Sequence, residues 1–352
     1  MAGFQFVSPD IAVDIGTDNT RVYVKDKGIV VNEPSVVITR GEGPRNIVAV
    51  GDSAEEMIGR AGGNIRIIHP LRDGVIVDYE MAQIMIHYFV SKAIGTRRFV
   101  RPRVVVTMPG DVSKVERRAV INTMEKIGAR QIFVVEQAFA AALGTGLPVY
   151  EPQGSFVVDI GGGTTEVALV SMGGVVLSHS VRVAGNKIDE AIAGFLKKQH
   201  AILVTDRVAE QIKFDLADVR SEKKMEHIAV VRGRDIATGM PLTVDVNMAN
   251  VSEAIREPLQ EILGAIKWVL GRVPPELCSD ILQNGIYLTG GSAALPNLDT
   301  MIATEFGVPV SVARDAGECT TLGAGYMADH FDMLGGVSGK NDEGSPAGEG
   351  KR

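Results

Sequence analysis

The feature that most constrains this chain is a stretch that occurs twice. Phe156-Val157-Val158-Asp159-Ile160-Gly161-Gly162-Gly163-Thr164-Thr165-Glu166 is an apolar run that ends in an acid, then glycines and threonines. Ile11-Ala12-Val13-Asp14-Ile15-Gly16-Thr17-Asp18-Asn19-Thr20-Arg21-Val22 aligns with it at a constant offset of 145 residues. Between Val13 and Val22 six of ten positions are identical, and the register continues to Gly28/Gly173 and Val30/Val175. Each copy reads as strand, tight turn, strand. The glycines leave backbone N–H groups uncovered, so a phosphate can sit close against them. The threonine hydroxyls add donors, and the acid at the strand end can reach a divalent cation directly or through its water shell. A single copy reads equally well as a hairpin with no ligand. Repetition at this spacing is no solenoid period; it predicts two domains of one fold whose hairpins face a shared cleft.

The rest of the composition narrows the class. A chain of 352 residues carries two domains as a soft expectation. Its net charge of −7 argues against general nucleic-acid binding. Cys278 and Cys319 have no metal-ligand spacing, and two thiols in a chain of this size suggest a reducing cytosol. The six histidines form no paired-ligand pattern. Uncharged runs such as Gln137 to Tyr150 are too short or too rich in Gly, Pro and polar residues to span a bilayer.

Along the chain, strands and helices alternate, which implies a largely parallel or mixed α/β sheet. Gly28 to Ile38 reads as strand, and Gly41 to Gly63 as a small surface subdomain or flexible insert. A helix is expected over about Tyr79 to Ala93. Ser113-x-x-Glu116 is a capping box for a helix closed by Gly128. Val104 to Pro109 and Ile132 to Val135 read as buried strands, and Gln137 to Leu143 as a helix of small residues. In the second half, Asn186 is expected to cap a helix over Lys187 to Lys198, and Thr205 another helix carrying Glu210 and Lys213. Ile228 to Val246 reads as a hairpin, Ser252 to Leu270 as one long helix, and Ile286 to Thr289 as a strand breaking into Gly290-Gly291-Ser292.

Two hairpins, a third Gly-Gly turn and a helix with Glu210 and Lys213 resemble the nucleotide cleft of the actin–sugar kinase–DnaK superfamily. Further stretches resemble the MreB family of bacterial actins: Asn32-Glu33-Pro34-Ser35-Val36-Val37, Pro70-Leu71-x-Asp73-Gly74-Val75-Ile76, Arg101-Pro102-Arg103-Val104-Val105, Arg232-Gly233-Arg234-Asp235 and Leu288-Thr289-Gly290-Gly291. Their collinear order covers about residues 10 to 330. The resemblance implies an α/β, actin-like ATPase fold of two related α/β domains flanking a nucleotide cleft, each with a smaller subdomain. The first would span residues 1–145, with a subdomain at about 32–66 and a last helix at about 320–334 packing back onto it. The second would span 146–319, with a subdomain at about 187–250, and 335–352 would be a disordered tail.

The resemblance also implies roles. ATP or ADP with Mg²⁺ is the expected ligand, with Asp14 and Asp159 near the metal, reaching it through water. Gly16, Thr17, Asn19 and Thr20 would form one phosphate loop, and Gly161, Gly162, Gly163, Thr164 and Thr165 the other. Glu210 and Lys213 would hold the ribose, and Gly290, Gly291 and Ser292 would pack along the adenosine. Glu136, Gln137 and Thr164 are the expected catalytic group. MreB-type sequences usually carry Glu-Glu-Pro-Met where this chain has Glu136-Gln137-Ala138-Phe139. An amide at 137 can orient water but cannot act as a base, as in eukaryotic actin, which is similar in using Gln there. Hydrolysis by orientation and a filament that only binds ATP both remain open. Phe99 and Val100, flanked by Arg97, Arg98, Arg101 and Arg103, lie where the family has a membrane-touching loop, with Phe4, Phe6 and Val7 as a second apolar contact; Phe99 in the core with solvated arginines is the other reading.

The expected function is a filament-forming ATPase beneath the cytoplasmic membrane that organises wall synthesis and rod shape. Its implied partners are itself, the inner membrane surface and membrane proteins of the elongation machinery, with no nucleic acid. The alternatives are a small-molecule kinase of the same superfamily, an actin-like filament that positions another structure, and a chaperone-type ATPase, which the short C-terminal tail disfavours.

Overall fold

The two repeated hairpins each seed a five-stranded sheet, and the two sheets share one plan. The computed structural model describes residues 9–41, 43, 46–60, 62, 64–95, 101–219 and 227–331. Arg97, Arg98, Phe99 and Val100, the N-terminal Phe4, Phe6 and Val7, and the expected tail lie outside these described residues.

In the first half, β1 (Ile11–Ile15), β2 (Asn19–Val24) and β3 (Gly28–Pro34) form an antiparallel meander. β4 (Val37–Arg40), β5 (Ile47–Val50) and β6 (Ile65–Ile68) form a separate three-stranded sheet with the short α1 (Asp52–Glu55) beside it. The expected continuous strand through Ile38 is therefore divided. It breaks at Ser35, whose hydroxyl turns back to the Gly16 carbonyl at 2.8 Å. The described part of residues 41–63 holds β5 and α1, which join β4 and β6 in a small subdomain, the first of the two readings offered for this stretch. After β7 (Leu71–Arg72) and β8 (Val75–Ile76) comes α2 (Tyr79–Ile94), capped by Asp78. β9 (Arg103–Met108), α3 (Lys114–Ile127) and β10 (Gln131–Glu136) complete the sheet, with β9 parallel to both β1 and β10. The expected capping box of α3 is present in full, and Gly128 closes the helix at a left-handed φ of 96°. α4 (Gln137–Gly144) follows β10 without a loop.

The second half repeats the order. β11 (Ser155–Ile160), β12 (Thr165–Ser171) and β13 (Gly174–Val181) form the meander. α5 (Gly185–His200), β14 (Ile202–Leu203) and α6 (Asp206–Leu216) lead to the hairpin of β15 (Ile228–Asp235) and β16 (Pro241–Asn247). The long helix expected over Ser252–Leu270 is two helices, α7 (Met248–Ala254) and α8 (Arg256–Leu270), meeting at Ile255. Pro258 explains the break: inside a continuous helix its ring would clash with the carbonyl of Ala254, whereas the first turn of α8 accepts it. α9 (Pro275–Asn284) precedes β17 (Ile286–Thr289), which lies parallel to β11. α10 (Leu298–Phe306), β18 (Val310–Val312) and α11 (Cys319–Asp329) finish the described chain. The sheet orders are β10-β9-β1-β2-β3 and β13-β12-β11-β17-β18, so β1 and β11 are both central.

Central position explains why β1 and β11 are buried at every residue. Their alternate side chains serve different cores. Val13 joins an outer core with Met85, Ile86 and Phe89 of α2. Val158 and Ile160 join the large outer core of the second half with Ile188, Ile192 and Ile266. Ala12 and Val157 instead face a middle layer made of α4 and α11, between the two sheets. Small residues let that layer be thin. A Cβ at Gly144 would run into the Cys319 carbonyl, and one at Gly323 into the Ala140 carbonyl, so the backbones of α4 and α11 touch. Any larger residue there must push the helices apart, an overpacking typically costing about 1–3 kcal/mol or more. The end of α11 is tied to β2, where the Tyr23 hydroxyl donates to Asp329 Oδ2 at 2.8 Å and Lys25 Nζ to the Asp329 carbonyl at 2.9 Å.

Candidate functional site

Asp14 and Asp159 share the inward-facing register of Ala12 and Val157, so both acids point toward the middle layer at the ends of their strands. There each meets two threonine hydroxyls. Thr107 donates to Asp14 Oδ1 at 2.7 Å and Thr321 to Oδ2 at 2.9 Å. Thr289 donates to Asp159 Oδ1 and Thr320 to Oδ2, both at 3.0 Å. Thr107 and Thr289 come from β9 and β17, the parallel neighbours of the two central strands; Thr320 and Thr321 come from the first turn of α11. Burial pushes the Asp159 carboxyl up to about 6, the negative charge of Asp14 adds to the rise, and the two hydroxyls oppose it.

The turns beyond the acids are closed alike. Gly16 N–H donates to the Asn19 carbonyl at 3.1 Å, and Gly161 N–H to the Thr164 carbonyl at 2.9 Å. Between them lies a cavity of about 340 Å³. Asp14, Gly16, Thr17 and Asn19 line it from the first hairpin, and Asp159, Gly161, Gly162, Gly163 and Thr164 from the second. Gln137 lines it from the start of α4, Glu210 and Lys213 from α6, and Gly290, Gly291 and Ser292 from the turn after β17. Gly290 holds that turn at φ 85°, close against the carbonyl of Ile160, and the Ser292 hydroxyl donates to the Gly161 carbonyl at 2.8 Å.

Three of the expected site residues do not line the cavity. Thr20 is fully buried, 2.8 Å from the Ser35 hydroxyl, and Thr165 donates to the Val183 carbonyl at 2.6 Å. Both hydroxyls are spent on bracing the turns from behind, so they offer no donor to a ligand. Glu136 lies at the exposed end of β10, with partial desolvation raising its carboxyl above the ordinary value. Asn186 does not cap α5 either. The helix starts at Gly185, and the N–H groups of Gly185 and Asn186 donate to the carbonyls of Gly161 and Gly162 at 3.2 and 2.8 Å. Loop carbonyls thus satisfy first-turn donors that a cap would otherwise take. The Asn186 side chain reaches across the cavity mouth instead, donating to Asp18 Oδ1 at 2.7 Å.

Several site residues carry no motif of their own. Lys213 Nζ donates to Asp189 Oδ2 at 2.8 Å, and burial pushes Asp189 up to about 6 against the pull of that cation. Phe214, 68% exposed, and Pro296 add an apolar wall at the Glu210–Lys213 end. Gly74 N–H donates to Thr17 Oγ1 at 3.0 Å, which joins the Asp73-Gly74 turn to the first loop. Arg21 enters the cavity from β2, directly opposite Asp14 in the hairpin. That position was readable from the hairpin register alone. The threonine clamp was not, because Thr321 is 307 residues from Asp14. Arg103, read as either drawn to lipid or part of a solvated edge, is instead bidentate to Asp10 and stacked over Phe331 at 4.3 Å. Its guanidinium ties β9 to Asp10, just before β1, and to Phe331, just after α11.

Two sheets of one plan, joined by a middle layer and closing on a loop-lined cavity, define an actin-like protein. The profile of the family described as MreB/Mbl protein matches residues 8–336. The chain is 44% identical over 334 residues to the cell shape-determining protein MreB of Escherichia coli (strain K12), covering 94% of this chain and 96% of that one. It is 42% identical over 326 residues to the cell shape-determining protein Mbl of Bacillus subtilis (strain 168), covering 92% and 97%. The crystal structure of MreB 5 of Spiroplasma citri bound to AMPPNP superposes with a TM-score of 0.87 at 32% identity, over 94% of this chain and 98% of that one. The chain belongs to the MreB/Mbl family.

Among the described residues no helix is long and apolar enough to cross a membrane, and no cluster of three or more His, Cys, Asp or Glu forms a metal cage.

Proposed function

We propose that this chain binds ATP with Mg²⁺ in the cavity between its two hairpins, polymerises beneath the cytoplasmic membrane, and there organises wall synthesis and cell shape. The observation that carries this reading is the pair of buried acids, each clamped by two threonine hydroxyls, facing one cavity between repeated glycine turns. Family membership supports it, as do the AMPPNP named with the Spiroplasma citri protein and the cell-shape role in the names of the Escherichia coli and Bacillus subtilis relatives.

The donor set suits the metal. Two carboxylates, without a cluster of three or more His, Cys, Asp or Glu among the described residues, fit Mg²⁺, which keeps several waters and takes its remaining ligands from substrate phosphates. Each carboxylate has about four acceptor directions, and the threonines use two, so acceptors remain for metal-bound water. When bound, the ion neutralises phosphate charge. The protein's own contribution is positional. N–H groups of Gly16, Thr17, Asn19 and of Gly161 to Thr164 would hold the phosphates. Glu210 and Lys213 would take the ribose hydroxyls, with Asp189 fixing the lysine. Gly290 to Ser292 would flank the adenosine. Gln137 would orient the attacking water by its amide, since it has no basic lone pair to accept the proton, and turnover would be slow. Thr20 and Thr165 would act by bracing the loops.

The same reading divides the chain at about residue 145 into two lobes, with α11 returning to the first. It locates the protein at the inner face of the membrane, with itself and membrane proteins of the elongation machinery as partners. Residues 97–100 would supply the lipid contact, with each flanking arginine worth up to ~1 kcal/mol near an anionic surface.

Sedimentation with ATP, with ADP and without nucleotide, each with and without anionic liposomes, tests this while phosphate release is followed in the same tubes. Nucleotide-dependent pelleting with slow release is expected. Turnover that requires a small-molecule acceptor, with no pelleting in any tube, would replace the filament by a kinase.

A further inference from the structure

Two cations line the cavity, Lys213 and Arg21, and they are held differently. Lys213 is hydrogen-bonded to Asp189. Arg21 forms only a long ion pair with the acid beside it: its Nη1 lies 3.8 Å from Asp14 Oδ2, beyond hydrogen-bond distance. Asp14 instead takes its two hydrogen bonds from Thr107 and Thr321. Arg21 Nε is buried with no hydrogen-bond partner. The side chain is only 17% exposed, so water does little to compensate. A charged donor left unsatisfied in a folded protein is costly, and a ligand that supplies the acceptor removes the cost.

The acceptor can be read from the surroundings. Asp14, Asp18, Asp159 and Glu210 line the same space, so an anionic ligand entering it is repelled unless cations oppose them. A guanidinium offers planar, forked donors that match the oxygens of a phosphate and remain charged at any relevant pH. Nor does the hairpin need a cation here in order to fold. The equivalent position of the second hairpin, across from Asp159, is Glu166.

We propose that Arg21 is a phosphate-binding residue, which donates to the polyphosphate of the bound nucleotide and lets the site retain it when Mg²⁺ is scarce. This rests on the nucleotide-binding reading above. It makes Arg21 a second centre of charge neutralisation, fixed in β2, beside whatever cation the two acids hold.

The test is binding, not turnover. Affinities for adenosine, ADP and ATP are measured by calorimetry in Mg²⁺ and in EDTA, for the unaltered chain and for Arg21→Leu, Arg21→Gln and Arg21→Lys. In EDTA, Arg21→Leu and Arg21→Gln should weaken ADP and ATP by about 10- to 100-fold, the range of a lost charge-assisted contact. Adenosine should bind unchanged, Arg21→Lys should recover part of the loss, and Mg²⁺ should shrink it. Adenosine binding doubles as the check that each variant folds; if Arg21→Leu does not, Arg21→Gln decides. Equal ADP affinity in EDTA with and without Arg21 would overturn the proposal while leaving the nucleotide reading intact. So would a loss of the same size for adenosine, which marks a purely structural arginine. An unaltered chain that binds no nucleotide even with Mg²⁺ would remove both.

Discussion

The two hairpins share a backbone but differ in charge. Each has an acid on the central strand, a turn closed by the same N–H to carbonyl bond, and a buried threonine bracing that turn. Across from the acid, however, the first hairpin carries Arg21 and the second carries Glu166. Arg21 lines the cavity, whereas Glu166 is held away from it by the Ser180 hydroxyl at 2.5 Å and the Gly110 N–H at 3.2 Å. Burial pushes Glu166 up to about 7, and the charge of Asp159 adds to the rise. A repeated fold therefore fixes where an acid and a turn must be, and leaves the electrostatics of each half to the residue one strand over.

The largest expected break of this comparison is at the acids. Asp159→Asn should lower phosphate release by 100-fold or more, on the order of 3 kcal/mol of barrier. Asp14→Asn should do likewise if the halves are equivalent; a ten-fold gap between the two variants, read in single turnover, would assign the metal chiefly to one side. Next comes Glu166→Gln. A carboxyl raised from about 4.5 to about 7 on folding binds more protons in the native state, so it removes stability as pH rises across that window and leaves a constant deficit above it. The amide should add on the order of 2–3 kcal/mol at pH 8 and almost nothing near pH 4.5, checked by denaturant unfolding at both pH values. An equal gain at both would mean that the carboxyl is not raised. The braces come third. Thr20→Val and Thr165→Val should each cost about 1–2 kcal/mol. Thr20 should be the more expensive, because its loss also disturbs Ser35, which anchors the Gly16 carbonyl. The smallest effect is at the exposed clasp, where Asp18→Ala should change stability by less than about 0.5 kcal/mol while speeding release of a fluorescent nucleotide a few-fold.

Much of this was legible beforehand, for identifiable reasons. The hairpins, the α3 capping box, the Thr205 cap and the turn at Gly290 are local patterns of a few residues, and each stands where those patterns indicate. The side chains of Thr20 and Thr165 were misread because each sits at a buried position of its strand, where polarity alone does not reveal which partner it meets. Asn186 was misread because loop carbonyls 24 and 25 residues upstream took the cap's role. The division of the long helix at Ile255 was visible in principle from Pro258. The threonine clamp was out of reach, because its members are brought together only by the parallel pairing of β9 with β1 and of β17 with β11 and by the return of α11.

That return sets a schedule for biosynthesis. Thr320 and Thr321 satisfy acids made 161 and 307 residues earlier, and α11 also supplies one half of the middle layer. Translation at roughly 5–20 residues per second needs on the order of 20–70 s for a chain of this length. For nearly all of that time the first hairpin is present while its acid lacks one of its two hydroxyl partners. If the nucleotide reading proposed above holds, a nascent chain is expected not to hold ligand until α11, the last described helix, has left the ribosome. A chain stalled before Cys319 should accordingly fail to retain nucleotide, and release of the remaining residues should restore it.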